Sequence, residues 1–169
     1  AAEVLGVDRV EFLGYRDSGM MGEPTNDDPR SFWQADLATA AGSLAELLVA
    51  ERADLLVVYD DHGGYGHPDH IQVHRVGVEA ARLAGVERVF ESTMNRDHLL
   101  RGMAEHAPEL LDDEDASIDD SFGSPEHLIT HAVDVRAFLD RKRAAMAAHA
   151  SQISEESFFL TMAPAAFEL

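Results

Sequence analysis

At 169 residues the chain is within the size of one ordinary domain, and a hydrophobic content of 46% sets it with proteins that bury a core, apart from disordered acidic tails. Its 32 Asp and Glu against 13 Lys and Arg give a formal net charge of -19, which repels phosphate backbones and anionic lipid surfaces, so nucleic acid is not an expected partner. Without cysteine there is no disulfide framework, no thiol nucleophile and no Cys-rich zinc module, and any metal site has to use histidine and carboxylates.

Ala1 to Leu5 read as the end of a helix with Gly6 as its left-handed cap, followed by a short strand over Val10, Phe12 and Leu13. Residues 14–30 hold three Gly, two Pro and several Asp, Asn and Ser, and read as a long loop of the kind that often carries function. Leu37, Ala41, Leu44 and Leu48 step by four, three and four, one face of a helix spanning 31–51. Asp54 to Tyr59 (DLLVVY) predicts a strand buried on both faces of a parallel sheet. A second helix is expected over about 69–84, with Val73, Val76, Ala80 and Leu83 facing inward and Gly85 as the stop, and then a strand around Arg88 to Phe90. The order helix, strand, helix, strand with short connections predicts an α/β fold with a mostly parallel sheet built from right-handed crossovers.

Further on, a weaker helix is expected near Arg96 to Glu105, and a solvated loop over Glu109 to Asp120, where seven of twelve residues are acidic. A strand over Ile129 to Val133 and a helix over Asp134 to Ala150, capped by Asp134, complete the reading. Val135, Leu139, Met146 and Ile153 share one stripe of that last helix with Lys142 and His149. Either Lys142 snorkels and His149 is a satisfied core histidine, or the helix walls a site in which His149, Ser151 or Gln152 positions substrate. The longest uncharged apolar stretch near either end, 158–167, falls far short of the roughly 20 residues that cross a bilayer. No basic segment followed by an apolar one opens the chain, so a cytoplasmic protein is expected.

The chemistry gathers after the DLLVVY strand, in Asp60-Asp61-His62-Gly63-Gly64-Tyr65-Gly66-His67-Pro68-Asp69-His70, with His74 one turn on. Ligands of open α/β sheets bind beyond the carboxyl ends of strands, which is where this loop is expected. Gly63, Gly64 and Gly66 permit close backbone approach, and Pro68 suits a first helical turn, so the loop delivers His67, Asp69 and His70 at a helix amino end. That arrangement suits a metal-assisted hydrolase. Imidazole is a good zinc ligand, a carboxylate can fix an imidazole tautomer, and a helix amino end favours negative charge forming on a substrate oxygen. His74 shares a side of the helix with His70 and is either a ligand or a surface or supporting histidine.

The run GGYGHPDHIQVHR resembles a signature of the LmbE-like, PIG-L type deacetylase family. Tyr15-Arg16-Asp17-Ser18-Gly19-Met20 and Lys142 to Gln152 (KRAAMAAHASQ) resemble further segments of that family, in its order. The resemblance implies a Rossmann-like, three-layer α/β fold over residues 1–169 as a single domain, and a zinc ion that activates water to hydrolyse an N-acyl group, usually acetyl on a glucosamine. Carried over by position, His70 would be a zinc ligand, and His67 would stabilise the oxyanion or protonate the leaving amine. Asp69 would orient and tune His67, and Tyr65 would lie over the substrate carbonyl. Asp17 stands where the mycothiol-pathway members hold their sugar, and His149 is carried as a second substrate-binding candidate. The partner implied is a small amino-sugar; the sequence does not indicate an oligomeric state. Family members begin with a strand and a His-Pro-Asp-Asp-Glu type motif, which is not found here. The remaining zinc ligands and the base are therefore expected from a segment outside these residues, and the chain is expected to be truncated at both ends. Two other readings stay open, a mycothiol S-conjugate amidase of the same family and a metal-free, carbohydrate-binding relative.

Overall fold

The two strongest periodic signals become the two longest helices of the computed structural model, which describes residues 1–106, 118, 120–154, 156–162 and 167. The expected acidic loop lies outside the described residues apart from Ile118 and Asp120. The chain divides into two compact units, Phe12–Ile129 and Ala1–Glu11 with Thr130–Leu169.

In the unit Phe12–Ile129, helix α2 (Leu37–Glu51) opens on Asp36, whose carboxylate accepts the Thr39 N–H at 2.9 Å and the Thr39 hydroxyl at 2.7 Å. This cap fixes the first turn, so the helix starts six residues later than expected, and Phe32–Gln34 form a separate 3-10 turn. The buried face of α2 is Ala40, Ala41, Ala45 and Leu48, and Leu37 is exposed. These alanines pack against Val76 and Ala80 of helix α4 (Pro68–Ala84), where methyl groups let two helices approach closely. Leu83, expected on the inward stripe of α4, is exposed; the helix buries Gln72, Val76, Gly77, Ala80 and Ala81 instead. Gly77 explains the rotation, because any Cβ there would collide with Val58 Cγ1 of the underlying strand.

That strand, β1 (Leu56–Tyr59), pairs in parallel with β2 (Val89–Ser92) in the register Leu56 to Val89 through Tyr59 to Ser92, with α4 as the crossover. The α/β class with a parallel sheet is as the sequence predicts. Burial of β1 on both faces is not: α4 packs against the strand, and Val58 is 5% exposed whereas Val57 is 59% exposed. Helix α5 (Arg96–His106) follows β2, as expected. Neither Val10 to Leu13 nor Ile129 to Val133 forms a strand. Arg16 pairs with the chain around Ser31 instead, its N–H donating to Arg30 O at 2.9 Å and its carbonyl accepting from Phe32 N at 3.0 Å, and this single bridge closes the 14–30 loop. Val133 is exposed and has no described strand beside it to pair with.

In the other unit, α1 (Ala2–Leu5) ends at Gly6 in the left-handed conformation (φ 78°) and packs on α6 (Leu139–Ala147). Asp134 does not cap α6. It accepts the Arg136 N–H at 3.1 Å and pairs with that guanidinium, and these bonds hold its carboxyl well below the usual carboxylate range. Residues 136–138 form a 3-10 turn before the helix. Because α6 stops at Ala147, the predicted stripe through Ile153 is broken, and only Ala145 of the helix is buried. Lys142 is exposed, its ammonium 5.1 Å from the Phe167 ring centre, and Arg143 lies over the same ring at 4.5 Å. Beyond α6, Arg143 also donates to Met162 O at 2.8 Å, after the short helix α7 (Phe158–Thr161). Among the described residues no helix is long and apolar enough to cross a membrane.

Candidate functional site

At the carboxyl end of β1 the chain turns sharply, and the turn is built around Asp60. Asp60 is 3% exposed; its Oδ1 accepts the Gly64 N–H at 2.5 Å and its carbonyl accepts the Gly63 N–H at 3.0 Å. The single helical turn α3 (Gly63–Gly66) that results has Gly63, Gly64 and Gly66 at φ 71°, 75° and 84°, values that L side chains rarely adopt. Gly63 is constrained twice, since a Cβ there would also lie 2.8 Å from His70 Cβ and 2.9 Å from Ile71 N. His67 then takes the extended conformation of a helix cap, and Pro68 occupies the first turn of α4, where a missing N–H costs nothing. Local sequence therefore brings Tyr65, His67, Asp69 and His70 together at the amino end of α4.

The two histidines are fixed in opposite tautomers by the backbone. His70 Nδ1 lies 3.1 Å from Gly63 O; a carbonyl only accepts, so Nδ1 carries the proton and Nε2 keeps its lone pair. His67 Nδ1 accepts the Asp69 N–H at 3.1 Å, so the proton of its neutral ring sits on Nε2. The His70 ring is stacked on Tyr59 at 3.9 Å and meets the edge of Tyr65 at 5.0 Å, with the His67 ring 5.0 Å away. Partial burial, and then the neighbouring Tyr59 and Asp17, push the Tyr65 phenol above its ordinary pKa, which keeps it an O–H donor at neutral pH.

Asp69 touches His67 through its peptide N–H, and its carboxylate is held by Ser18: the Ser18 hydroxyl donates to Oδ1 and the Ser18 N–H to Oδ2 at 3.1 Å. Asp17, His67 and Asp69 offer oxygen and nitrogen ligand atoms all within 4.8 Å of one another, a grouping able to hold a cation that leaves out His70. Asp17 Oδ1 already accepts the Gly19 N–H at 2.8 Å. A cavity of about 500 Å³ runs from Phe12 along Tyr15, Phe32 and Leu56, and meets this group only at Asp17 and Asp69.

Two candidates remain, His74 and His149. His74 Nδ1 faces Tyr59 O at 3.1 Å, tying α4 to β1. His149 is exposed, two residues beyond α6 in the unit formed by Ala1–Glu11 and Thr130–Leu169. Ser18 had no reading of its own in the sequence, and His62 reads there as loop background. Ser18 stood inside the quoted Tyr15 to Met20 run, where its place beside Asp17 was the available signal. His62 links the loop to Gly123, with Nε2 3.0 Å from Gly123 O and 3.3 Å from Asp60 Oδ2, and Nδ1 3.0 Å from Asp61 Oδ1. The hydrogen bond from His62 holds the Asp61 carboxyl below its usual value.

A family model described as PIG-L, GlcNAc-PI de-N-acetylase, matches residues 1–81. Among curated proteins the chain is 42% identical to a 1D-myo-inositol 2-acetamido-2-deoxy-alpha-D-glucopyranoside deacetylase of Acidothermus cellulolyticus, over 96% of this chain and 59% of that protein. Proteins of the same name from Geodermatophilus obscurus (41%, covering 96% and 62%) and Salinispora arenicola (43%, covering 96% and 57%) are similar. The chain thus spans about three fifths of the length of the curated relatives it matches. With the GHPDH turn at a strand's carboxyl end, the chain is similar to the LmbE-like, PIG-L type family over residues 1–81 and to these deacetylases along nearly all of its length.

Proposed function

We propose that this chain is part of a zinc-dependent hydrolase that removes an N-acetyl group from an N-acetylglucosamine-type substrate. The observation that carries this reading is the opposite tautomers of His67 and His70, which offer an N–H donor and a lone pair side by side at one helix amino end. The activity for which the relatives are named favours a deacetylase over a conjugate amidase.

Imidazole and carboxylate donors fit zinc. His70 would hold the ion through Nε2, since metal-bound histidines characteristically tie their other nitrogen to a carbonyl or carboxylate, as Nδ1 does here to Gly63 O. The Asp17, His67 and Asp69 group suits the ion less well, because Ser18 already engages both Asp69 oxygens and Gly19 engages Asp17. When bound, zinc supplies Lewis acidity that makes water nucleophilic near neutral pH and polarises an acyl carbonyl. The Nε2–H of neutral His67 would hydrogen-bond to the oxygen that gains charge, and the amino end of α4 favours the same negative charge; to protonate the departing nitrogen the ring would first have to take up a second proton at Nδ1, in place of the bond from the Asp69 N–H. Tyr65 adds an O–H donor beside both rings. Asp17, at the edge of the cavity, would accept hydrogen bonds from sugar hydroxyls.

The test is to express the protein from its whole reading frame, load it with zinc and assay acetate release from N-acetylglucosaminyl-inositol. Release that disappears on chelation and returns with zinc is expected. A zinc-loaded, folded protein that releases no acetate contradicts the reading.

A further inference from the structure

We propose that Ser18 is a positioning residue for the reaction, one that acts by fixing the carboxylate of Asp69. The inference rests on the deacetylase reading and adds to it a residue from a loop 51 positions away in sequence. Ser18 is completely buried, and all its polar atoms are engaged. Its hydroxyl donates to Asp69 Oδ1 and accepts the Trp33 N–H at 2.9 Å; its own N–H donates to Asp69 Oδ2 at 3.1 Å. Its carbonyl accepts from Thr25 Oγ1 at 2.8 Å and from Asn26 Nδ2 at 2.5 Å.

Two donors on two different oxygens restrict both the swing and the spin of a carboxylate, whereas one donor would leave it free to rotate. The donors themselves cannot drift, because Trp33, Thr25 and Asn26 hold Ser18 from the other side. Asn26 is buried as well and takes the Gly22 N–H at 2.8 Å, so the clamp extends across the 18–34 stretch of the loop. The loop therefore acts as a mould for one charge beside His67, and Ser18 is the point at which the mould touches that charge. A serine that served only to tie loop to helix would need one bond to any part of α4. Both oxygens of Asp69, an acid beside His67, are taken instead.

The test is a double-mutant cycle in the full-length, zinc-loaded protein with Ser18→Ala, Asp69→Asn and the pair, read as kcat and KM for acetate release. Ser18→Ala is expected to lower kcat roughly tenfold or more, in the range typical of residues that orient active-site ligands, with KM nearly unchanged. The double variant is expected to be no slower than Asp69→Asn alone, since groups that act through one another are not additive. Ser18→Cys, which keeps the volume and weakens the donor, is expected to fall between. It also serves if the alanine variant does not fold. The carboxyl 13C resonance of Asp69, read without zinc, is expected to move in both Ser18 variants. A wild type that is inactive contradicts the deacetylase reading and this inference with it. An active wild type whose folded Ser18 variants keep full kcat, leave the Asp69 resonance in place, or multiply with Asp69→Asn in the cycle contradicts the Ser18 role alone.

Discussion

Which nitrogen of a histidine carries the proton decides whether the residue can bind a metal or feed a proton to substrate, and here one carbonyl and one peptide N–H make that choice. Gly63 is the residue on which the choice depends, because its carbonyl takes the His70 proton while its backbone sits at φ 71° against the start of α4. Gly63→Ala adds a Cβ in a conformation L residues avoid and in contact with His70, so a loss of about 1–3 kcal/mol is expected. Denaturant unfolding measures that loss, and a variant as stable as the wild type would show that the tight turn is not needed. Among the candidate site residues, the closeness of His67, Asp69 and His70 was legible because spacing along one helical turn determines that they are neighbours. Ser18 was not, since its partner is 51 residues away and a serine in a Gly-containing loop looks like any turn residue.

At the scale of elements, the helices were legible and their edges were not. Apolar steps of three and four locate α2 and α4, but the face that is buried depends on what lies opposite, and Gly77 over Val58 rotates α4 away from the stripe its leucine implies. The start of α2 depends on one side chain, Asp36, which competes with any earlier helical turn by satisfying the Thr39 N–H. Bonds from Thr39 hold the Asp36 carboxyl below its ordinary value. A depressed folded-state pKa means that the stabilisation is complete above the unfolded value, near 4, and is lost as the pH falls through the folded value. Thermal unfolding from pH 5 down to pH 2 is therefore expected to lower the midpoint more for the wild type than for Asp36→Asn, which caps without titrating. Equal losses in the two proteins would indicate that the cap does not titrate with folding. The strands expected at Val10 to Leu13 and Ile129 to Val133 failed for a different reason. Hydrophobic runs specify a strand only when another strand is beside them, and the first of these gives way to the bridge between Arg16 and Ser31.

Across the molecule, the order of elements was enough to predict a parallel α/β pair with the GHPDH loop at the carboxyl end of β1, because a crossover helix leaves few other arrangements. The burial pattern of that strand was not predictable in the same way, since it depends on layers that sequence periodicity cannot count. The stripe through Lys142 and His149 failed at this scale too: it assumed one continuous helix, and α6 ends at Ala147. The proposed function rests on a division of labour between two neighbouring histidines. The most direct measurement is zinc stoichiometry alongside turnover for His70→Ala and His67→Ala in the full-length protein. His70→Ala is expected to lose bound zinc and activity together, and His67→Ala to keep its zinc while turnover falls by about 10²–10⁴-fold, the usual worth of a positioned proton donor. Retention of zinc by His70→Ala, or its loss from His67→Ala, would contradict the assignment of the lone pair to His70 and the proton to His67.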